Sequence, residues 1–244
     1  MKICCISDIH SNLKFDVPEC DLLLIAGDIC PATRVSPDAS IERALDLEYN
    51  INLQAAWLED KFKKWLYDQP IEYAIFTPGN HDWIWEFGKE RVPTSWFPGN
   101  TIDREMVANA RIESAEDYLV FYKGLKIYGT PVQLPFCDWA FNRPEKQIQG
   151  YWGAIPEGLD ILLLHSPPYG ILDRTNHPSY PSEHIGSKSL LKRIKEVKPK
   201  LVVFGHNHGS HGEYEEDGIK YVNASLVDER YKMTRKPIMV EMEL

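Results

Sequence analysis

The chain has 244 residues, 43% of them apolar and 26% charged, a near-average globular composition that excludes disordered and fibrous classes. A net charge of −9 argues against broad attraction to a polyanion, so extended nucleic acid is not the expected partner. No apolar run approaches the roughly 20 residues of a membrane span, and five cysteines without C-x-x-C spacing suggest reduced, mostly buried thiols in a cytoplasmic protein. The length suits one large core, and a single domain over residues 1–244 is expected.

Residues 2–6 and 22–26 are short apolar runs that predict buried strands. Each ends in a polar block, Ser7-Asp8-Ile9-His10 after the first and Gly27-Asp28 after the second. From 39 to 68 the apolar residues fall at helical spacing, with an interruption near Asn50 and Asn52. Residues 72–76 predict a strand that turns through Thr77-Pro78-Gly79 into Asn80-His81-Asp82. The stretch 83–118 reads as an irregular excursion with a short helix near 103–109. Strands follow at 118–122 and 125–130, then a loop over 131–158 containing Phe136, Trp139, Phe141, Tyr151 and Trp152. The strand 160–164 ends at His165. A helix at 187–197 precedes the strand 200–204, which ends at Gly205-His206-Asn207-His208, and the tail predicts antiparallel strands at 211–216, 219–223 and 237–243.

In open α/β sheets ligands bind beyond the carboxyl ends of the strands, so blocks spread over about 200 residues can meet in one crevice. Histidines, two aspartates and an asparagine carbonyl make a mixed nitrogen and oxygen shell. Such a shell suits manganese, iron, zinc or cobalt and does not suit a thiolate site.

The ordered set D-x-H, G-D, G-N-H-D, H and G-H-x-H, running from Asp8 to His208, resembles the calcineurin-like metallophosphoesterase superfamily. The resemblance implies an α/β fold, a four-layer α-β-β-α sandwich of two mixed sheets flanked by helices. It implies one divalent ion on Asp8, His10, Asp28 and His208 and a second on Asp28, Asn80, His165 and His206, with Asp28 bridging. Manganese is the foremost candidate, with iron, zinc, cobalt or nickel as substitutes. Hydroxide held between the two ions would attack phosphorus in line. His81 resembles the family's histidine that protonates the departing alkoxide. Asp82 reads either as the carboxylate that orients that ring or as a helix-start residue.

In the second half, His165-Ser166-Pro167-Pro168-Tyr169-Gly170, Leu172-Asp173, His184-Ile185-Gly186 and Tyr221-Val222-Asn223-Ala224-Ser225 resemble the branch of metallophosphoesterase-domain-containing proteins. Members of that branch act on phosphodiesters, including cyclic nucleotides. Some vertebrate members have glycine where this chain has His206. Gly27-Asp28-Ile29-Cys30-Pro31-Ala32 departs from the G-D-x-V-D-R-G of protein Ser/Thr phosphatases, which lowers the phosphoprotein reading.

The expected activity is therefore hydrolysis of a small nucleotide phosphodiester, cyclic nucleotides included. Alternatives are a nuclease acting on DNA or RNA ends, a phosphomonoesterase, and a nucleotide-binding protein with a weakly active site. His184 and Trp83 are candidate substrate contacts. The bland readings are a loop histidine, which also applies to His177, and a tryptophan packed under the loop.

Overall fold

The computed structural model describes residues 1–36, 40–92, 112–175 and 183–243. Alternation within the first two strands sets the layering. Successive strand side chains point to opposite faces. In β1 (Lys2–Ile6), Ile3 and Cys5 therefore face one way and Cys4 and Ile6 the other, and all four are fully buried. In β2 (Cys20–Ala26), Leu22 and Leu24 join Ile3 and Cys5 in one cluster, while Leu23 and Ile25 join Cys4 and Ile6 in another. Strands covered on both faces read as unbroken apolar runs, which makes them legible.

Helix α1 (Ile41–Trp57) begins at Ser40, whose side chain accepts from the Arg43 N–H. It widens into a π turn at Leu58–Phe62 and resumes as α2 (Lys63–Asp68). The irregularity thus lies beyond the interruption expected at Asn50 and Asn52. Asn50 stays helical because its buried amide is satisfied: Oδ1 accepts from the Thr33 N–H at 2.8 Å, and Nδ2 donates to the Asp46 carbonyl at 2.9 Å.

Strand β3 (Ile71–Thr77) runs parallel to β2, and α3 (Trp83–Phe87) follows it. β4 (Ile112–Ser114) completes the edge of the first sheet. The second sheet starts with the antiparallel pair β5 (Tyr118–Tyr122) and β6 (Leu125–Thr130). The segment read as a loop over 131–158 contains a helix, α4 (Glu145–Ala154), which buries Ile148 and Trp152. Two glycines and two glutamines hide its period. Next come β7 (Ile161–Leu164), α5 (Lys188–Val197), β8 (Leu201–Phe204), β9 (Gly212–Glu216), β10 (Ile219–Asn223) and β11 (Ile238–Glu241).

The five-stranded sheet has the order β11-β1-β2-β3-β4 and the six-stranded sheet β5-β6-β7-β8-β10-β9. Both are mixed. β11 pairs antiparallel with β1 in the first sheet, so the tail strands divide between the sheets. One apolar cluster lies between the sheets, from Ile3, Leu22 and Leu24 to Ile127, Leu163 and Val203. A second packs the first sheet under Leu58 and Phe62, and a third packs the second sheet under Trp152, Leu190 and Ile194. The four layers expected from the sequence are present. The helix expected near 103–109 and His177 fall outside the described residues. Among the described residues no helix is long and apolar enough to cross a membrane.

Candidate metal centre

Each polar block begins where its strand stops, and the backbone turns sharply there. Asp8, His10, Asp28 and His206 have φ of 54°, 41°, 53° and 64°. This left-handed region costs an L-residue about 1–2 kcal/mol, so the surroundings must hold it. The first two blocks hold each other: Asp8, His10 and Ser11 donate their N–H groups to the carbonyls of Gly27, Asp28 and Ile29, each at 3.0 Å. From the far end of the chain, the His206 N–H donates to both Asp8 carboxylate oxygens at 3.1 Å.

Two glycines allow these loops to close. A Cβ at Gly79 would collide with the Asp28 amide and carboxylate, and one at Gly205 with Ser7 Oγ and the Asp8 carboxylate. Gly205→Ala is expected to cost about 1–3 kcal/mol as overpacking against backbone-held groups. Urea unfolding measures the loss. An unchanged midpoint together with unchanged metal content would show that the loop yields freely.

The ligand atoms face inward. His165 Nδ1 donates to the Ala26 carbonyl at 2.8 Å, which leaves Nε2 with a bare lone pair in the neutral ring. That Nε2 lies 2.8 Å from Asn80 Oδ1, and His206 Nδ1 lies 2.8 Å from the same oxygen. Asp28 turns Oδ1 toward His165 Nε2 at 3.5 Å and Oδ2 toward His10 Nε2 at 3.7 Å. His208 Nε2 stands 3.3 Å from Asp8 Oδ1. Ligands bonded at about 2.1 Å sit roughly 2.9–3.4 Å apart around an octahedral or tetrahedral ion. The spacings therefore bracket what divalent ions require. The ligand atoms form overlapping groups, Asp8 with His10 and His208, Asp8 with Asp28 and His165, and His10 with Asp28 and His81. Buried His10 Nε2 has no hydrogen-bond partner. An orphaned ring nitrogen beside a buried carboxylate fits a cation site.

A family model described as calcineurin-like phosphoesterase matches residues 1–210. The chain belongs to the calcineurin-like phosphoesterases. Metallophosphoesterase domain-containing protein 1 of Homo sapiens is 31% identical over 251 residues, covering 98% of this chain and 70% of the human protein. UPF0046 protein T07D4.2 of Caenorhabditis elegans is 27% identical, with 99% of this chain and 60% of the worm protein covered. The solved structure of TT1561 from Thermus thermophilus superposes with a TM-score of 0.52 at 17% identity, covering 98% and 97% of the two chains. That likeness concerns the fold. This calcineurin-like phosphoesterase is thus a metal-dependent phosphoester hydrolase by family, and the family implies a binuclear divalent centre.

Electrostatics of the phosphoesterase site suit cation uptake. Burial pushes the His206 and His10 rings well below the ordinary imidazole range, and burial with neighbouring His165 and His208 holds His81 down to about 3. At neutral pH these rings are neutral, and those of His206 and His10 are ready to ligate. Burial also pushes Asp28 well above the carboxylate range, reinforced by Asp8 and Asp82. Three buried carboxylates together favour a compensating positive charge.

Three expected site residues stand elsewhere. Asp82 does not orient His81: its carboxylate accepts from the N–H groups of Gly79 at 2.8 Å, Ile29 at 3.0 Å and Cys30 at 2.8 Å, clamping two ligand loops together. Asp82→Ala would leave buried donors without an acceptor and is expected to destabilise the protein by about 3 kcal/mol. Turnover lost without lost stability would instead return Asp82 to the chemistry. Trp83 is 1% exposed within the core of the first sheet, with Phe87 stacked at its outer side, so it offers a ligand no face. His184 does not line the cavity. It donates through Nδ1 to buried Asp173 at 2.6 Å and packs on Tyr169, while its chain neighbours Glu183 and Ile185 face the opening.

The cavity over the ligand atoms measures about 920 Å³. Its aromatic wall is Phe136 and Trp139, the latter packed on His81 with ring centroids 4.2 Å apart, and Tyr231 stands on its rim. Aromatic density in 131–158 signals the first two. Tyr231 sits in a charged turn that gives no signal.

Proposed function

We propose that the protein is a phosphodiesterase for small nucleotide esters, with manganese as its metal. The observation that carries this reading is the Asp28 carboxylate, whose two oxygens face two different histidine sets at the floor of an aromatic-walled cavity. When bound, two divalent ions supply Lewis acidity that activates water and neutralises phosphoryl oxygens. The chain does the rest. Asn80, His165 and His206 hold one side, while Asp8, His10 and His208 hold the other. Phe136 and Trp139 exclude water and offer flat faces to a base. His81 Nε2, buried and unpartnered beside them, is positioned to hand a proton to a departing alkoxide.

A diester is favoured over a monoester by charge. The described residues lining the cavity include Glu183 and Glu229 but no lysine or arginine, so a monoanionic diester meets less repulsion there than a dianionic monoester. The test is a manganese-loaded screen of cyclic nucleotides, linear diesters and monoesters. Diesters should lead, and preferential hydrolysis of monoesters would overturn the reading.

A further inference from the structure

Facing the cavity beside the ligand loops is a short hairpin, residues 227–233, that the phosphoryl chemistry leaves unused. Val227 and Met233 bridge its ends. Asp228 closes its turn: the Asp228 carbonyl accepts from the Tyr231 N–H at 2.9 Å, and its Oδ1 accepts from the N–H groups of Arg230 and Lys232 at 2.9 and 3.0 Å. Arg235 staples the hairpin to the ligand loop, since Nη1 donates to the carbonyls of His208 and Val227 at 2.6 Å each. A loop tied down this way holds its side chains in fixed places.

Two of those side chains point to recognition. Tyr231 has φ of 58°, a conformation strained for any residue with a Cβ, and its surroundings maintain it. Its ring meets His10 and His208 edge-on, with centroids 4.8 and 5.2 Å apart, and approaches His81 at 6.1 Å. The residue is nevertheless 49% exposed, so one face of the ring remains for a ligand. Glu229 lines the same cavity, and its Oε1 is buried without a hydrogen-bond partner. A buried carboxylate oxygen left unpaired is costly and calls for a donor. An aromatic face beside a carboxylate complements a nitrogen that carries hydrogens.

We propose that this hairpin recognises the alcohol side of the ester, with Tyr231 packing on that group and Glu229 accepting a hydrogen bond from an amino group it carries. The inference rests on the phosphodiesterase reading. The amino group can come from a nucleobase or from an alkylamine; both present N–H donors to Glu229, the alkylamine with a positive charge besides.

Calorimetric titration of manganese-loaded protein with two matched pairs tests it without turnover. AMP is compared with purine riboside 5′-monophosphate, which has neither the amino group nor an N1–H, and phosphoethanolamine with ethyl phosphate. Wild type should bind the amino member at least tenfold more tightly in one pair, and the pair that shows the gap names the source. Glu229→Met, which removes the acceptor at similar volume, should bring that pair within about twofold. No gap in either wild-type pair overturns the proposal, as does a gap that persists in Glu229→Met protein with wild-type circular dichroism and melting. Hydrolysis of bis-p-nitrophenyl phosphate by wild type is measured alongside. Its absence would count against the phosphodiesterase reading, while the binding pairs still decide the role of Glu229.

Discussion

Asp28→Asn is expected to strip both metal ions from the protein together. In the proposed centre Asp28 is the shared ligand, presenting Oδ1 to His165 and Oδ2 to His10. An amide retains one weaker oxygen and places an N–H₂ group where the second ion would bind. Losing the stabilisation that two ions give a phosphoryl transition state, several kcal/mol, lowers turnover by roughly 10³-fold or more. Metal analysis of the purified variant should find well under one ion per chain. Retention of one full equivalent would mean that the two sides load independently.

The same substitution has an opposite effect on the metal-free fold. Burial beside Asp8 and Asp82 raises the Asp28 pKa, so its stabilising contribution is complete below the unfolded value near 3.9 and is lost as pH rises through the folded value. Asparagine has no such proton to lose. After chelation, Asp28→Asn should therefore gain melting temperature relative to wild type as pH rises above the unfolded value near 3.9. A relative loss over that range would show that the carboxylate stabilises the fold without metal.

For His81→Ala the expected result is full metal content with turnover reduced about 10²- to 10⁴-fold on esters with alkoxide leaving groups. The ring reaches toward Asp28 Oδ2 only at 4.0 Å, longer than the corresponding approaches of His10 and His165. It instead packs between Trp139 and His10, with centroids 4.2 and 4.9 Å away. A pKa of about 3 in the metal-free site means that the ring is neutral there, and a bound phosphate anion supplies the charge that draws a proton onto it. Leaving-group dependence separates this role from metal binding. p-Nitrophenolate departs without protonation, so the variant should hydrolyse p-nitrophenyl diesters nearly as well as wild type while failing on cyclic nucleotides. An equal loss on both substrates, or loss of metal, would remove the acid role.

The parts legible in the sequence share one cause. Asp8, Asp28, Asn80, His165 and His206 sit within a few residues of a strand end, and strands buried on both faces announce themselves as apolar runs. Local order thus places the ligands without knowledge of tertiary contacts. The cavity walls follow no such rule. Trp83 and Trp139 look alike in the sequence, yet one is fixed in the core by α3 and the other reaches His81 from a loop 58 residues later. The clamping role of Asp82 escapes a local reading because two of its partners, Ile29 and Cys30, lie 53 and 52 residues away. Tyr231 depends on a strained turn and on Arg235, neither of which leaves a periodic trace.

The hydrogen bonds from His206 to Asp8 join groups 198 residues apart, whereas those from His10 to Asp28 join groups that follow adjoining strands. On a ribosome adding about 5–20 residues per second, roughly 10 to 40 s separate synthesis of the first ligands from that of the last. During that interval the N-terminal strands can pair and bring Asp8, His10 and Asp28 together, but His206 and His208 do not yet exist. A nascent chain consequently holds only part of the candidate ligand set, which is complete only after β8 and the loop beyond it have been made.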